Sequence, residues 1–337
     1  MNNNLLKGTR VYLSGPMDFV GSRIIEKFLG WRSILSPILK ALEITVLDPW
    51  NKPEVKGHKN YGQEGIIHSK QEYEKDFWTN NETRARFETE FWETVHIDLR
   101  MVDLSDFLIT FVPTNIYSVG TVHEVVTARL QLKPVLMISP PIKYEFFPEI
   151  HCLPEETKKI LKFYGLKQNP KGIPSQWYGN IVGGHYLFDG FGFEDLQFKS
   201  PTFYQDLIHK IIENNKPQET NKEDYTLWKK VKDWVEHYKP LQQLKGSILD
   251  HIKFKNSEES LLRKELEAPN EKKRRYFWYN SPYKSMRPML YQLFKIASGY
   301  IPPRLQVVSH LDENGDLQYN SIEVVDDSWL LMSHEDL

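Results

Sequence analysis

The chain has 337 residues, of which 40% are hydrophobic, enough for a sizeable core in one large domain or two and too many for global disorder. Its formal net charge of −2 excludes a surface given over wholly to nucleic acid, though a local basic patch is compatible with it. A lone cysteine, Cys152, excludes an intramolecular disulfide, no apolar run approaches the roughly 18 residues that span a bilayer, and the N-terminus has no apolar signal core. The expectation is a soluble, cytoplasmic protein with no membrane partner.

Residues 9 to 14 (Thr-Arg-Val-Tyr-Leu-Ser) predict a first strand, stopped by Gly15-Pro16. Gly15 permits close backbone approach and Pro16 fixes the turn. Ile24, Ile25, Phe28, Leu29, Trp31 and Leu35 follow at the spacing of a single helix, and residues 44 to 47 predict a second strand ended by Asp48-Pro49. Strand, helix, strand opens a parallel, doubly wound sheet. A loop covers residues 50 to 62, and residues 64 to 94 are charged and helical around Thr79-Asn80-Asn81. Phe87, Phe91, Trp92 and Val95 form the expected packing face there, and the helix continues to carry Asp98. The run Phe107 to Val112 is short and β-rich, as a buried strand should be. A polar loop then leads to a helix expected to start near Thr121, with Glu124 in its first turn.

Val135 to Ile138 predicts another buried strand. Beyond it, residues 153 to 163 read as a helix, and residues 173 to 192, rich in Gly, Trp, Tyr and Asn, as a pocket wall. A helix over 201 to 213 closes the first domain (1–213), and 214 to 220 is a linker. The second domain (214–337) is expected to hold helices over 225 to 266 and 288 to 297. A hairpin then turns at Asp312-Glu313-Asn314-Gly315-Asp316. The fold class is therefore α/β: a mostly parallel, doubly wound Rossmann-like or flavodoxin-like sheet with an added C-terminal helical and hairpin domain.

Two separated motifs carry a family resemblance. Tyr12-Leu13-Ser14-Gly15-Pro16 on the first strand is the first. The second is Asp98, then Asp106 and its strand, then Ser118-Val119-Gly120-Thr121-Val122-His123-Glu124. Together they resemble the nucleoside 2-deoxyribosyltransferase family, which includes 2'-deoxynucleoside 5'-phosphate N-hydrolases. The resemblance covers residues 8 to 140 and, loosely, 170 to 213. It implies that Glu124 is a nucleophile attacking C1' to form a glycosyl-enzyme intermediate, that Asp98 protonates the base, and that Tyr12 hydrogen-bonds Glu124. Two carboxyl groups divide such work when one is ionised and the other holds the proton. The implied substrate contacts are Ser14, Gly15, Ser118, Gly120, Thr121 and Asn180. Asp106 matches a position that is structural rather than catalytic. Serine at position 118, in place of an aspartate that binds a 5'-hydroxyl, leans towards tolerance of a 5'-monophosphate. Transfer to a second base and transfer to water both remain open. The resemblance further implies a homo-oligomer and no cofactor.

Plainer readings stand beside these. Histidines such as His96 and His123 are helix-surface residues, and their scatter gives no metal-ligand spacing. Gly183-Gly184-His185 lacks the spacing of a phosphate loop, and a G-x-G-x-x-G fingerprint is absent. The basic run Lys272 to Arg275 beside four aromatics could clamp a nucleic acid strand, but a solvated face is the commoner outcome. Two other functions compete: an effector-type N-glycohydrolase acting on a nucleotide cofactor such as NAD or on a nucleic acid, and a non-catalytic nucleotide-binding module.

Overall fold

The computed structural model describes residues 4–17, 23–51, 76, 78–112, 118–138, 199–267 and 283–325. Its centre is a four-stranded parallel sheet in the order β2-β1-β3-β4. The strands are β1 (Arg10–Ser14), β2 (Thr45–Leu47), β3 (Phe107–Phe111) and β4 (Val135–Ile138). Every residue of β3 is buried, as a strand covered on both faces requires. Tyr12 lies opposite Leu47 on one side and Leu108 on the other, and Ser14 lies opposite Thr110. Strand order reverses between β1 and β3, and the carboxyl ends of strands at such a reversal are the usual ligand position in open α/β sheets.

Helices α1 (Arg23–Leu29) and α2 (Trp31–Ala41) pack on one face of the sheet, and α3 (Asn81–Leu104) and α4 (Val119–Leu130) on the other. The single helix expected after β1 is two, broken at Gly30. A Cβ there would lie 2.2 Å from the Glu26 carbonyl oxygen and 2.7 Å from its carboxylate, so only glycine lets the chain turn so closely. Pro37 sits inside α2 and cannot donate to the carbonyl of Ser33; the Tyr204 hydroxyl donates to that carbonyl instead, at 3.4 Å.

The long α3 begins where the Asn80 side chain accepts from the amides of Glu82 and Thr83. Trp92 departs from the expected packing face: it is 58% exposed, against the ring of His96. It precedes the buried Met101 by nine residues, which at 3.6 residues per turn is the opposite side of the helix.

The rest of the described chain comprises α5 (Phe203–Asn214), α6 (Lys222–His237), α7 (Lys239–Gln243), a 3-10 turn at Ile248–His251, α8 (Glu258–Glu267) and α9 (Tyr283–Ala297). An antiparallel pair follows, β5 (Leu305–Leu311) with β6 (Leu317–Val324). One apolar cluster joins Val11, Leu13 and Ile109 of the sheet and Leu35 of α2 to Leu207, Val231, Leu290, Phe294 and Ile322. Residues on both sides of position 214 therefore share it. A smaller cluster holds Tyr12, Leu108 and Met137 beneath Val102 of α3 and Val125 and Ala128 of α4. No described helix is long and apolar enough to cross a membrane.

Candidate active site

Alternation along β1 puts Tyr12 and Ser14 on the same face of the sheet, the face covered by α3 and α4. Glu124 reaches down from α4 between them. The Tyr12 hydroxyl donates to Glu124 Oε1 at 2.7 Å, and the Ser14 hydroxyl donates to Oε2 at 2.5 Å. Both carboxylate oxygens are thus held by donors from one strand. Tyr12 and Ser14 have no exposed surface, so Ser14 acts on the carboxylate rather than as an open contact surface. Thr110, opposite Ser14 in register, is also fully buried, and its hydroxyl has no hydrogen-bond partner among the described residues.

Helix α4 starts two residues earlier than expected because Ser118 is its N-cap. The Ser118 side chain accepts from the Thr121 amide at 3.4 Å and lies 2.7 Å from the Thr121 hydroxyl. Glu124 consequently falls in the second turn rather than the first, where the helix dipole contributes less. Thr121 is buried, whereas Gly120 is exposed and a Cβ there would meet no atom of the described residues within 4 Å.

The electrostatics mark Glu124 out. Burial, reinforced by the negative charge of Asp98, pushes its carboxyl from the ordinary 4.5 up to about 7. The hydroxyls of Ser14 and Tyr12 and the positive charge of Arg32 oppose that rise. The Tyr12 phenol is pushed well above its usual range by burial, and then by the charges of Glu124 and Asp98. Asp98 is itself buried on α3, 8% exposed. Two carboxyl groups and a phenol are thus gathered in one low-dielectric place, and such groupings are characteristic of sites that move protons.

The neighbouring positions divide clearly. Asp106 is structural: its carboxylate accepts from the Arg10 amide at 2.7 Å and from the Arg10 guanidinium at 3.1 and 3.2 Å, tying β1 to the start of β3. Gly15 is crowded by the protein itself. A Cβ there would come within 3.0 Å of the Trp31 ring, 3.2 Å of the Arg32 guanidinium and 3.3 Å of the Phe111 carbonyl oxygen. His96 and His123 are exposed on their helices. Asn180, the 153–163 helix, the 173–192 wall and the Lys272–Arg275 run lie outside the described residues. Sequence reasoning missed Arg32, which is 1% exposed and hydrogen-bonded to the turn after β1. An arginine in an amphipathic helix carries no local sign that it will point inward.

Among the described residues no group of three or more His, Cys, Asp or Glu side chains is placed to hold a metal ion. No protein family, curated protein or solved structure compared with the chain matches it.

Proposed function

We propose that the protein cleaves the N-glycosidic bond of a 2'-deoxynucleoside or its 5'-monophosphate through a covalent glycosyl–Glu124 intermediate. One observation carries this reading: Glu124, with both oxygens held by Tyr12 and Ser14, stands at the carboxyl end of the central strands beside a second buried carboxyl, Asp98. In the first half-reaction a Glu124 oxygen bonds to C1', the bond from C1' to the base nitrogen breaks, and Asp98 gives its proton to the departing base. In the second, an acceptor base or water attacks C1', Glu124 leaves as carboxylate, and Asp98 recovers a proton.

The chemistry asks for one ionised and one protonated carboxyl, and two buried carboxyls in mutual repulsion can share a single proton. Tyr12 and Ser14 favour the ionised form at Glu124, because a hydroxyl donates best to a carboxylate. The exposed Gly120 beside the Ser118 cap suits a sugar or 5'-phosphate at the α4 N-terminus. Residues 214 to 337 are taken as an accessory region whose helices and hairpin brace the catalytic sheet.

The test is free-base release from a panel of deoxynucleosides and their 5'-monophosphates, with and without a second base, for wild type and Glu124→Ala. Exchange into the added base, lost in the variant, identifies a transferase. Release to water alone identifies a hydrolase. Undiminished turnover by Glu124→Ala refutes the proposal.

A further inference from the structure

Arg32 is the second residue of α2, on the face of the sheet opposite Glu124, and its side chain is almost wholly buried. Its guanidinium forms a fork. Nε donates to the Leu13 carbonyl at 3.1 Å, Nη2 to the Gly15 carbonyl at 2.6 Å and Nη1 to the Pro16 carbonyl at 3.5 Å. These three carbonyls bracket Ser14, whose hydroxyl holds Glu124 Oε2. The Trp31 ring lies 4.7 Å from the guanidinium carbon, and Asp48 Oδ1, beyond β2, lies 3.8 Å from Nε.

A buried guanidinium is costly to desolvate unless its donors are met. Here they are met mainly by backbone carbonyls, which satisfy hydrogen bonds without cancelling charge. Asp48 offsets part of the positive charge from the β2 side, and the remainder acts on Glu124 and Tyr12 across the sheet.

We propose that Arg32 is a positioning residue for Glu124, clamping the turn that carries Ser14 and supplying the buried positive charge that helps keep the carboxylate ionised. Its consequence for turnover rests on the glycosidic reading given above; its hold on the carboxylate does not. Among the described residues, the titratable groups that face this pair are Tyr12 of β1, Asp98 of α3, Glu26 of α1 and Asp48 after β2. Glu26 is buried, its carboxyl pushed up to about 7 by that burial and drawn back by Arg32. It competes with Glu124 for the same cation. A lysine would keep the charge of Arg32 but not the planar fork that reaches three carbonyls.

The experiment compares full-length wild type, Arg32→Gln and Arg32→Lys, with Glu124→Gln and Glu26→Gln as spectral references. The Glu124 carboxyl is titrated by infrared difference spectroscopy, and base release from a deoxynucleoside and its 5'-monophosphate is followed against pH. In Arg32→Gln the Glu124 midpoint should rise. Base release at neutral pH should fall at least tenfold through kcat, with partial recovery at higher pH. Arg32→Lys should hold the midpoint near that of wild type yet leave kcat depressed at least tenfold at every pH, because the turn is loosened. An unchanged Glu124 midpoint in folded Arg32→Gln overturns the proposal, as does wild-type kcat in Arg32→Lys. If Arg32→Gln does not fold, the Lys variant decides. Should the midpoint rise while Glu124→Gln still releases base at the wild-type rate, the glycosidic reading fails and the hold of Arg32 on Glu124 stands.

Discussion

Replacing Glu124 with glutamine should make the protein more stable at alkaline pH, not less. A carboxyl whose pKa is raised on folding leaves stability untouched below its unfolded value and erodes it as pH rises through the folded value. For Glu124 that window runs from 4.5 to about 7. At about 1.4 kcal/mol per pH unit, the ionised side chain costs the folded state about 3 kcal/mol above the window. Glutamine keeps the shape without the charge, but its amide nitrogen would face one of the two hydroxyls now donating to Glu124. That hydroxyl must turn and accept, at a cost of about 1 kcal/mol. The net gain is about 2 kcal/mol at pH 8, vanishing or reversing near pH 4.5. With an unfolding entropy of about 2.1 cal/mol/K per residue, a chain of 337 residues should melt about 3 °C higher at pH 8. Thermal melts of both proteins at pH 4.5 and pH 8 read this directly. A variant less stable than wild type at pH 8, or a difference equal at the two pH values, would refute the electrostatic account of Glu124.

Tyr12→Phe keeps the buried ring and removes one donor to Glu124; the Glu124 midpoint should move up and base release at neutral pH fall about 10- to 100-fold, by about 1.5–3 kcal/mol for a charge-assisted bond, as a pH–rate profile would show. Asp98→Asn removes the charge that raises Glu124, so the Glu124 midpoint should fall while base release drops about 10²- to 10⁴-fold for lack of an acid; infrared titration and steady-state assay separate the two effects. Asp106→Ala should cost about 1–3 kcal/mol in urea unfolding through the unmet Arg10 donors and leave kcat within threefold. Gly15→Ala should destabilise by about 1–3 kcal/mol, because Trp31, Arg32 and a backbone carbonyl all crowd the new methyl; equal stability in urea would show that the turn yields.

What was legible in the sequence was local. The β-rich run at Phe107–Phe111 and the periodic apolar residues of α4 announce their elements, because burial on two faces or one imposes a period on the chain itself. The C-terminal end of α3 carries Asp98 inward as its spacing suggests. Side-chain partners across the fold follow another logic. Ser14 is a substrate contact by resemblance alone, and nothing local in the chain announces that its hydroxyl is held on Glu124. Arg32 gave no sign at all, since whether an arginine points out of a helix or under a sheet depends on carbonyls left free by a turn elsewhere. The break at Gly30 hides in a stretch whose apolar spacing continues across it, and only the proximity of Glu26 explains it. Likewise, the sharing of one apolar cluster between Leu13 and Phe294 is a property of packing between distant segments.

The two hydroxyls that hold Glu124 come from alternate residues of β1, and that fact ties the chemistry to the alignment of a strand. Slipping β1 by one residue against its neighbours would invert its faces, setting the apolar Val11 and Leu13 under the carboxylate and turning Tyr12 and Ser14 towards the opposite core. Such a slip is opposed twice over, because β1 is flanked by ladders to both β2 and β3. A strand at the edge of the sheet would have one such constraint. The inner position of β1 thus fixes the alignment on which the carboxylate depends, and mutations that weaken the β2 ladder should loosen Glu124 without touching it.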